Sequence, residues 1–120
     1  MTSLEHDLAR LLHGFPAPIA GLARDLVRAM QTIRPELLTK VQFGWRSVNF
    51  RHPQAGFLCA VFPYEDRVTL IFEHGRMLSN ESSLLQGDGT RVRYISFVPG
   101  DELPVDEIAM LLAEAVALRG

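Results

Sequence analysis

Leu4, Leu8, Leu11 and Leu12 recur at intervals of three and four, which sets them on one side of a helix. Thr2 and Glu5 have capping-box spacing, each able to satisfy the other's orphan N–H, and so open that helix. Gly14 and Pro16 end it. Pro18 falls in the first turn of a second helix, where a missing N–H costs nothing. Ile19, Leu22, Leu26, Met30 and Ile33 form its apolar stripe, with Arg24, Asp25, Arg28 and Gln31 on the wet side. Pro35 stops it, because proline cannot continue the hydrogen-bond ladder, and Pro35 to Thr39 reads as one further helical turn. A last helix opens at Pro104, with Asp106 and Glu107 in its first turn, where the helix dipole favours acid. Its apolar face is Val105, Ile108, Leu111, Leu112, Ala115 and Leu118.

Between these helices the period shortens toward two. Val41 to Phe43 and Ser47 to Phe50 are strand-like and interrupted at Gly44, and His52 to Gly56 is a turn. Phe57 to Phe62 and Arg67 to Glu73 are the strongest strands, close enough for a hairpin. Arg76 to Gln86 is irregular, Gly87-Asp88-Gly89 is a turn, and Arg91 to Val98 is the last strand. Consecutive strands with short links form an antiparallel sheet. Helices grouped at the chain ends then predict one α+β domain, 1–120, with about five strands packed against N-terminal helices and a C-terminal helix in a two-layer sandwich.

Pairing Phe62 with Val68 puts Leu58, Ala60, Phe62, Val68, Leu70 and Phe72 on one wholly apolar face, beneath the helices. The second face then holds Phe57, Cys59, Val61, Thr69, Ile71 and Glu73, joined by Arg91, Arg93, Ile95 and Phe97. That is too apolar for an ordinary solvated face. Two readings follow: a second subunit or a ligand covers it, or Val41 to Phe50 or Arg76 to Gln86 folds over it.

Composition narrows the field. With 12 basic and 14 acidic residues the net charge is −2, and the basic residues are scattered, so a nucleic-acid partner is not expected. No apolar run reaches the ~20 residues needed to cross a bilayer, so no membrane partner is expected either. The start lacks the pattern of a signal peptide. Cys59 is the only cysteine, which forbids an internal disulfide and fits a cytoplasmic protein.

The chemistry-bearing residues form no catalytic constellation. His6, His13, His52 and His74 share no ligand-like spacing. Cys59 lies mid-strand among apolar neighbours, where burial makes a thiol inert. Ser79, Ser82 and Ser83 lack a nucleophile elbow, and the Gly87–Gly89 turn precedes a strand, so it has no helix dipole to hold a phosphate. With no nucleophile–base pair in view, the reading is not an enzyme and no cofactor. The ligand or interface candidates are Trp45, the only tryptophan, and Glu73 with Arg91 or Arg93 as a cross-strand ion pair. Asp101, Glu102, Asp106 and Glu107 are the densest acidic group and the weak candidates for a hard cation or ferrous iron.

Several landmarks occur together: Pro35-Glu36, Trp45, Val68-Thr69-Leu70-Ile71-Phe72 with Gly75 and Leu78, then Leu84-Leu85-Gln86-Gly87-Asp88-Gly89 ahead of Arg93 and a terminal helix. In this order the chain resembles the YdhG-like family of bacterial domains of unknown function, from about Leu4 to Leu118. Thr90 stands where that family often has lysine, and Gly44-Trp45-Arg46-Ser47 departs from its usual tryptophan-to-proline step. The resemblance implies an α+β sandwich similar in outline to frataxin, in a family whose members mostly lack an assigned activity. One branch is linked to iron handling through acidic residues, for which Asp101, Glu102, Asp106 and Glu107 are the nearest positions here. The combined expectation is a small cytoplasmic ligand-binding or protein-interaction module, taking a small molecule or a second copy on its second sheet face. An iron-binding protein using surface carboxylates is the alternative.

Overall fold

The computed structural model describes residues 2–80 and 83–119, without the side chain of Arg119. Helices α1 (Ser3–Leu12) and α2 (Ala17–Ile33) precede the sheet and α3 (Val105–Arg119) follows it. Strands β1 (Leu38–Gln42), β2 (Ser47–His52), β3 (Gly56–Pro63), β4 (Val68–Phe72) and β5 (Arg93–Phe97) form one antiparallel sheet in the order 1-2-3-4-5. The chain is thus the expected α+β sandwich of one sheet and one helical layer.

Local chemistry explains the boundaries. The capping box forms: Thr2 Oγ1 accepts from the Glu5 N–H at 3.1 Å, and the Thr2 N–H donates to Glu5 Oε2 at 3.2 Å. Pro18 lies within the first turn of α2, and the helix ends one residue before Arg34-Pro35. The further helical turn expected at Pro35 to Thr39 does not form. The chain turns instead, with the Leu37 N–H donating to the Arg34 carbonyl at 3.1 Å, and β1 starts at Leu38.

The helices bury Leu8, Leu11 and Leu12 from α1, Ile19, Leu22, Leu26, Val27 and Met30 from α2, and Ile108, Leu111 and Leu112 from α3. They meet one face of the sheet in a single core. Val105 and Leu118, expected on the inner face of α3, are exposed at its margins. On the helical wheel both lie off the Ile108–Leu111–Leu112–Ala115 stripe that meets the sheet.

The register corrects an expectation. Pro63 pairs with Val68, Val61 with Leu70 and Cys59 with Phe72, one residue away from the predicted alignment. The helix-covered face is therefore Cys59, Val61, Val68, Leu70 and Phe72, with Val48 and Phe50 on one side and Arg93, Ile95 and Phe97 on the other. Ala60 and Phe62 move to the opposite face. The turn fixes this phase, since the Tyr64 N–H closes on the Arg67 carbonyl at 2.8 Å and leaves four residues in the connection. A bulge follows, where the β2–β3 register shifts at Phe50 and Arg51. Bulged residues escape strict alternation, and Leu58 is buried along with its neighbour Cys59.

Candidate functional site

Taking the observed register across the strands, the second face carries Gln42, Lys40 and Leu38 from β1, then Ser47, Asn49 and Arg51 from β2. Phe57, Ala60 and Phe62 follow from β3, Thr69 and Ile71 from β4, and Tyr94 and Ser96 from β5. Neither segment proposed to fold over it does so. Residues 41–50 extend the sheet as β1 and β2, and Leu78 and Leu85 of the irregular segment join the core on the helix side. The face is consequently open: Leu38, Lys40 and Arg51 are exposed, and Phe57, Phe62, Ile71 and Tyr94 are half-buried. Ala60 is only 2% exposed although no helix is built on its side, so its larger neighbours close over it. A hydrogen bond of 3.2 Å joins the Thr69 and Ser96 hydroxyls across β4 and β5, and Ser47 Oγ donates to Asn49 Oδ1 at 3.0 Å.

The electrostatics of this face are one-signed. None of the residues in the five strands is Asp or Glu. Lys40 and Arg51 form no ion pair among the described residues; Arg51 lies opposite Phe57, whereas Phe62 is at the other end of β3 and Tyr94 is on the far edge strand. Carboxylates appear only in the turns and helices around it, such as Glu36, Asp66 and Glu73.

The four ligand or interface candidates do not assemble on this face. Glu73 and Arg91 do pair, with Arg91 Nη2 donating to Glu73 Oε1 at 3.3 Å. Both lie in connections, just past β4 and just before β5. Arg93 is on the helix-covered side, opposite Phe72, which corrects its expected place on the second face along with Ile95 and Phe97. Its guanidinium Nη1 donates to the Gly89 and Val92 carbonyls at 2.7 and 2.8 Å, so it holds the glycine turn. Gly75 presses on the Arg93 backbone: a Cβ there would stand 2.4 Å from Arg93 Cβ and 2.7 Å from its nitrogen. No side chain fits that approach.

Trp45 lies across the sheet from this corner, on the other edge and at the other end. It ends a 3-10 turn, Phe43–Trp45, between β1 and β2, and is 75% exposed. Its neighbours anchor the turn to α1 and to the α1–α2 connection. The Arg10 guanidinium stacks 4.7 Å from the Phe43 ring centroid, and that of Arg46 stacks 4.5 Å from Phe15. Arg46 adopts a left-handed conformation, φ 52°, which L-residues visit at a cost.

The acidic group divides. The Asp101 carboxylate accepts from the Val98 N–H at 2.8 Å, finishing the edge of β5, and Asp101 and Glu102 line a shallow hollow of about 310 Å³ beside that strand. Asp106 and Glu107 sit in the first turn of α3, outside the hollow's lining. Among the described residues no three His, Cys, Asp or Glu side chains converge as a metal site.

The remaining reactive types are accounted for structurally. Cys59 is fully buried and burial pushes its thiol far up from its ordinary pKa, so the thiolate is suppressed. His52 Nδ1 accepts from the Gln54 and Ala55 N–H groups, both at 3.1 Å, and so caps the β2–β3 turn. His74 Nε2 lies 3.9 Å from Glu73 Oε2. The Ser79 N–H donates to Glu114 Oε2 at 2.7 Å, Ser83 is exposed in a loop, and Ser82 lies outside the described residues. Gly87 has φ 113°, as its turn requires, and Leu85 anchors that turn in the core.

Sequence reasoning passed over Lys40, Arg51 and Tyr94, and placed Phe62 on the helix-covered face. Strand alternation through β1 and β2 would have found the first two, had β1 been started at Leu38. No family model matches the chain, and no curated protein or solved structure matches it. No helix among the described residues is long and apolar enough to cross a membrane.

Proposed function

We propose that this chain is a small binding module of the YdhG-like type whose open sheet face takes an anionic ligand with an aromatic or apolar body. The observation that carries the reading is the face itself: Phe57 lies opposite Arg51, with Lys40 on the next strand, neither cation is paired among the described residues, and no strand carries a carboxylate. Aromatic rings offer stacking surface for a planar ligand, and each cation attracts charge most effectively where no local anion already neutralises it.

A second copy is a poorer occupant of this face. It would set Lys40 and Arg51 against a surface that offers them no acid, and unpaired cations are costly to bury. Binding in place of catalysis accords with the inert Cys59 and with the distance between Trp45 and the Glu73–Arg91 pair.

Two measurements test this. Native mass spectrometry of the purified protein reports any small molecule carried with it. Titration with anilinonaphthalene sulfonate, an aromatic anion, gives an affinity that charge reversal at Lys40→Glu plus Arg51→Glu should weaken about tenfold, or roughly 1.4 kcal/mol. Arg28→Glu on α2 should leave it unchanged. Equal binding by the double variant and the parent would sink the reading.

A further inference from the structure

The two edges of the sheet are not alike. The Tyr64 N–H donates to the Arg67 carbonyl and the Glu73 N–H to the Leu58 carbonyl, so Leu58, Ala60 and Phe62 turn their main-chain groups toward β4. Bonded and non-bonded pairs alternate in an antiparallel ladder. Cys59 and Val61 therefore bond to Phe50 and Val48 of β2, and Asn49 and Ser47 bond to Lys40 and Gln42 of β1. On β5 the same phase turns Tyr94 outward, where it exchanges both bonds with Gln86, at 2.8 and 3.0 Å. The Asp101 carboxylate takes the Val98 N–H at 2.8 Å, so neighbouring segments close this edge on either side of Ser96.

On β1 the residues turned outward are Thr39 and Val41. Their main-chain N–H and C=O groups find no partner among the described residues. Helix α1 packs beside β1 and bonds to none of these groups. The strand holds no proline and its pairing with β2 has no bulge. Its one guard is Lys40, since a charge on an edge keeps like edges from pairing. The register that bonds Thr39 to Val41 of a second copy sets Lys40 against Lys40, and like charges directly opposite are destabilising. The same lysine, which has no ion-pair partner among the described residues, admits a strand that carries acid at that position. Directly opposite residues share a face, so the acid would stand beside Lys40 on the open face, next to the position opposite Leu38, which is 60% exposed.

We infer that β1 is a strand-addition edge for an extended peptide segment with an acidic residue between β-branched or apolar ones. The added strand runs antiparallel, the more stable pairing per residue and the one used throughout this sheet. Main-chain bonds to Thr39 and Val41 give affinity, and the side chain opposite Lys40 gives selectivity. Lys40 is shared with the anion reading above, but the Thr39 and Val41 main chain is not.

The probe is the peptide acetyl-Thr-Val-Glu-Val-Leu amide, whose glutamate falls opposite Lys40 and whose leucine falls opposite Leu38. In amide exchange on the full chain, saturating peptide should slow the Thr39 and Val41 N–H groups at least about tenfold and leave Ser96 unchanged. Lysine in place of the glutamate should weaken binding about fivefold, and Lys40→Glu should invert the order of the two peptides. Thr39→Pro removes an outward donor at an edge position, where proline is tolerated. It should weaken the glutamate peptide at least about tenfold, with circular dichroism and the binding of anilinonaphthalene sulfonate unchanged, so the edge and the anion site fail separately. The exchange map of the parent needs no variant and decides the question even where Thr39→Pro misfolds. No protection of Thr39 and Val41 at millimolar peptide, protection of Ser96 in their place, equal affinity for the two peptides, or full binding by a folded Thr39→Pro would each overturn the inference.

Discussion

Helices α2 and α3 do the same work on the inside and opposite things on the outside. Each lays a buried aliphatic stripe against the same sheet face, with Leu26 and Leu112 both fully buried. Outward, α2 shows Asp25, Arg28 and Thr32, and α3 shows Met110, Ala113 and Ala117. The inner stripes are what the fold requires. The outer sides carry no such requirement, so an apolar outer side is information about something other than folding.

The largest effects should fall where the helices are alike. Leu26→Ala and Leu112→Ala are each expected to cost about 2–5 kcal/mol in denaturant unfolding followed by circular dichroism, the usual range for a buried leucine. A Leu112→Ala cost far below that of Leu26→Ala would mean that α3 is less firmly docked than α2. The next effect separates them. Glu114 ties α3 to the loop at Ser79 through a charge-assisted bond, so Glu114→Ala should lose about 1–2 kcal/mol. Amide exchange at Ser79 should speed up by at least about tenfold, and unchanged exchange there would show that the tether contributes nothing. On α2, a Cβ added at Gly21 meets nothing within 4 Å. Gly21→Ala should therefore raise stability by about 0.5–1 kcal/mol, and a loss would reveal a contact on the side of α2 taken here as free. The smallest change is the sharpest discriminator. Arg28→Ala and Met110→Ala should both stay within about 0.5 kcal/mol of the parent in dilute solution. A larger loss at Met110 than at Arg28 would show that its exposed side chain packs against the fold.

Much of the helical layer was legible because α1 and α2 are amphipathic, α3 repeats its apolar positions at helical spacing, and the boundaries are punctuated by residues with a mechanism, Thr2 with Glu5 at one start and Pro35 and Pro104 at the others. The sheet was legible in strand number and order but not in phase. From Phe57 to Phe62 every position is apolar, so a period of two has no contrast to lock onto. The phase comes from the Pro63–Val68 pairing and from the bulge at Phe50 and Arg51, neither of which is written in hydropathy. The same slip hid the open face, since it exchanges Cys59 and Val61 for Ala60 and Phe62. The Glu73–Arg91 pair was readable as opposite charges flanking neighbouring strands. Its separation from Trp45 was not, because it depends on which edge and which end of the sheet each turn occupies. Met110 escaped notice for a related reason: a helix that is apolar nearly all round does not announce which side faces water.

The placement of Trp45 has a practical consequence for spectroscopy. The sole indole projects from a turn pinned by two arginine–aromatic stacks and is already largely hydrated in the folded state. Its emission should therefore shift little when the protein unfolds, so intrinsic fluorescence is a poor reporter of stability here. For the same reason it is a clean optical sensor of that corner, silent until something settles on the β1–β2 turn and drives the water away.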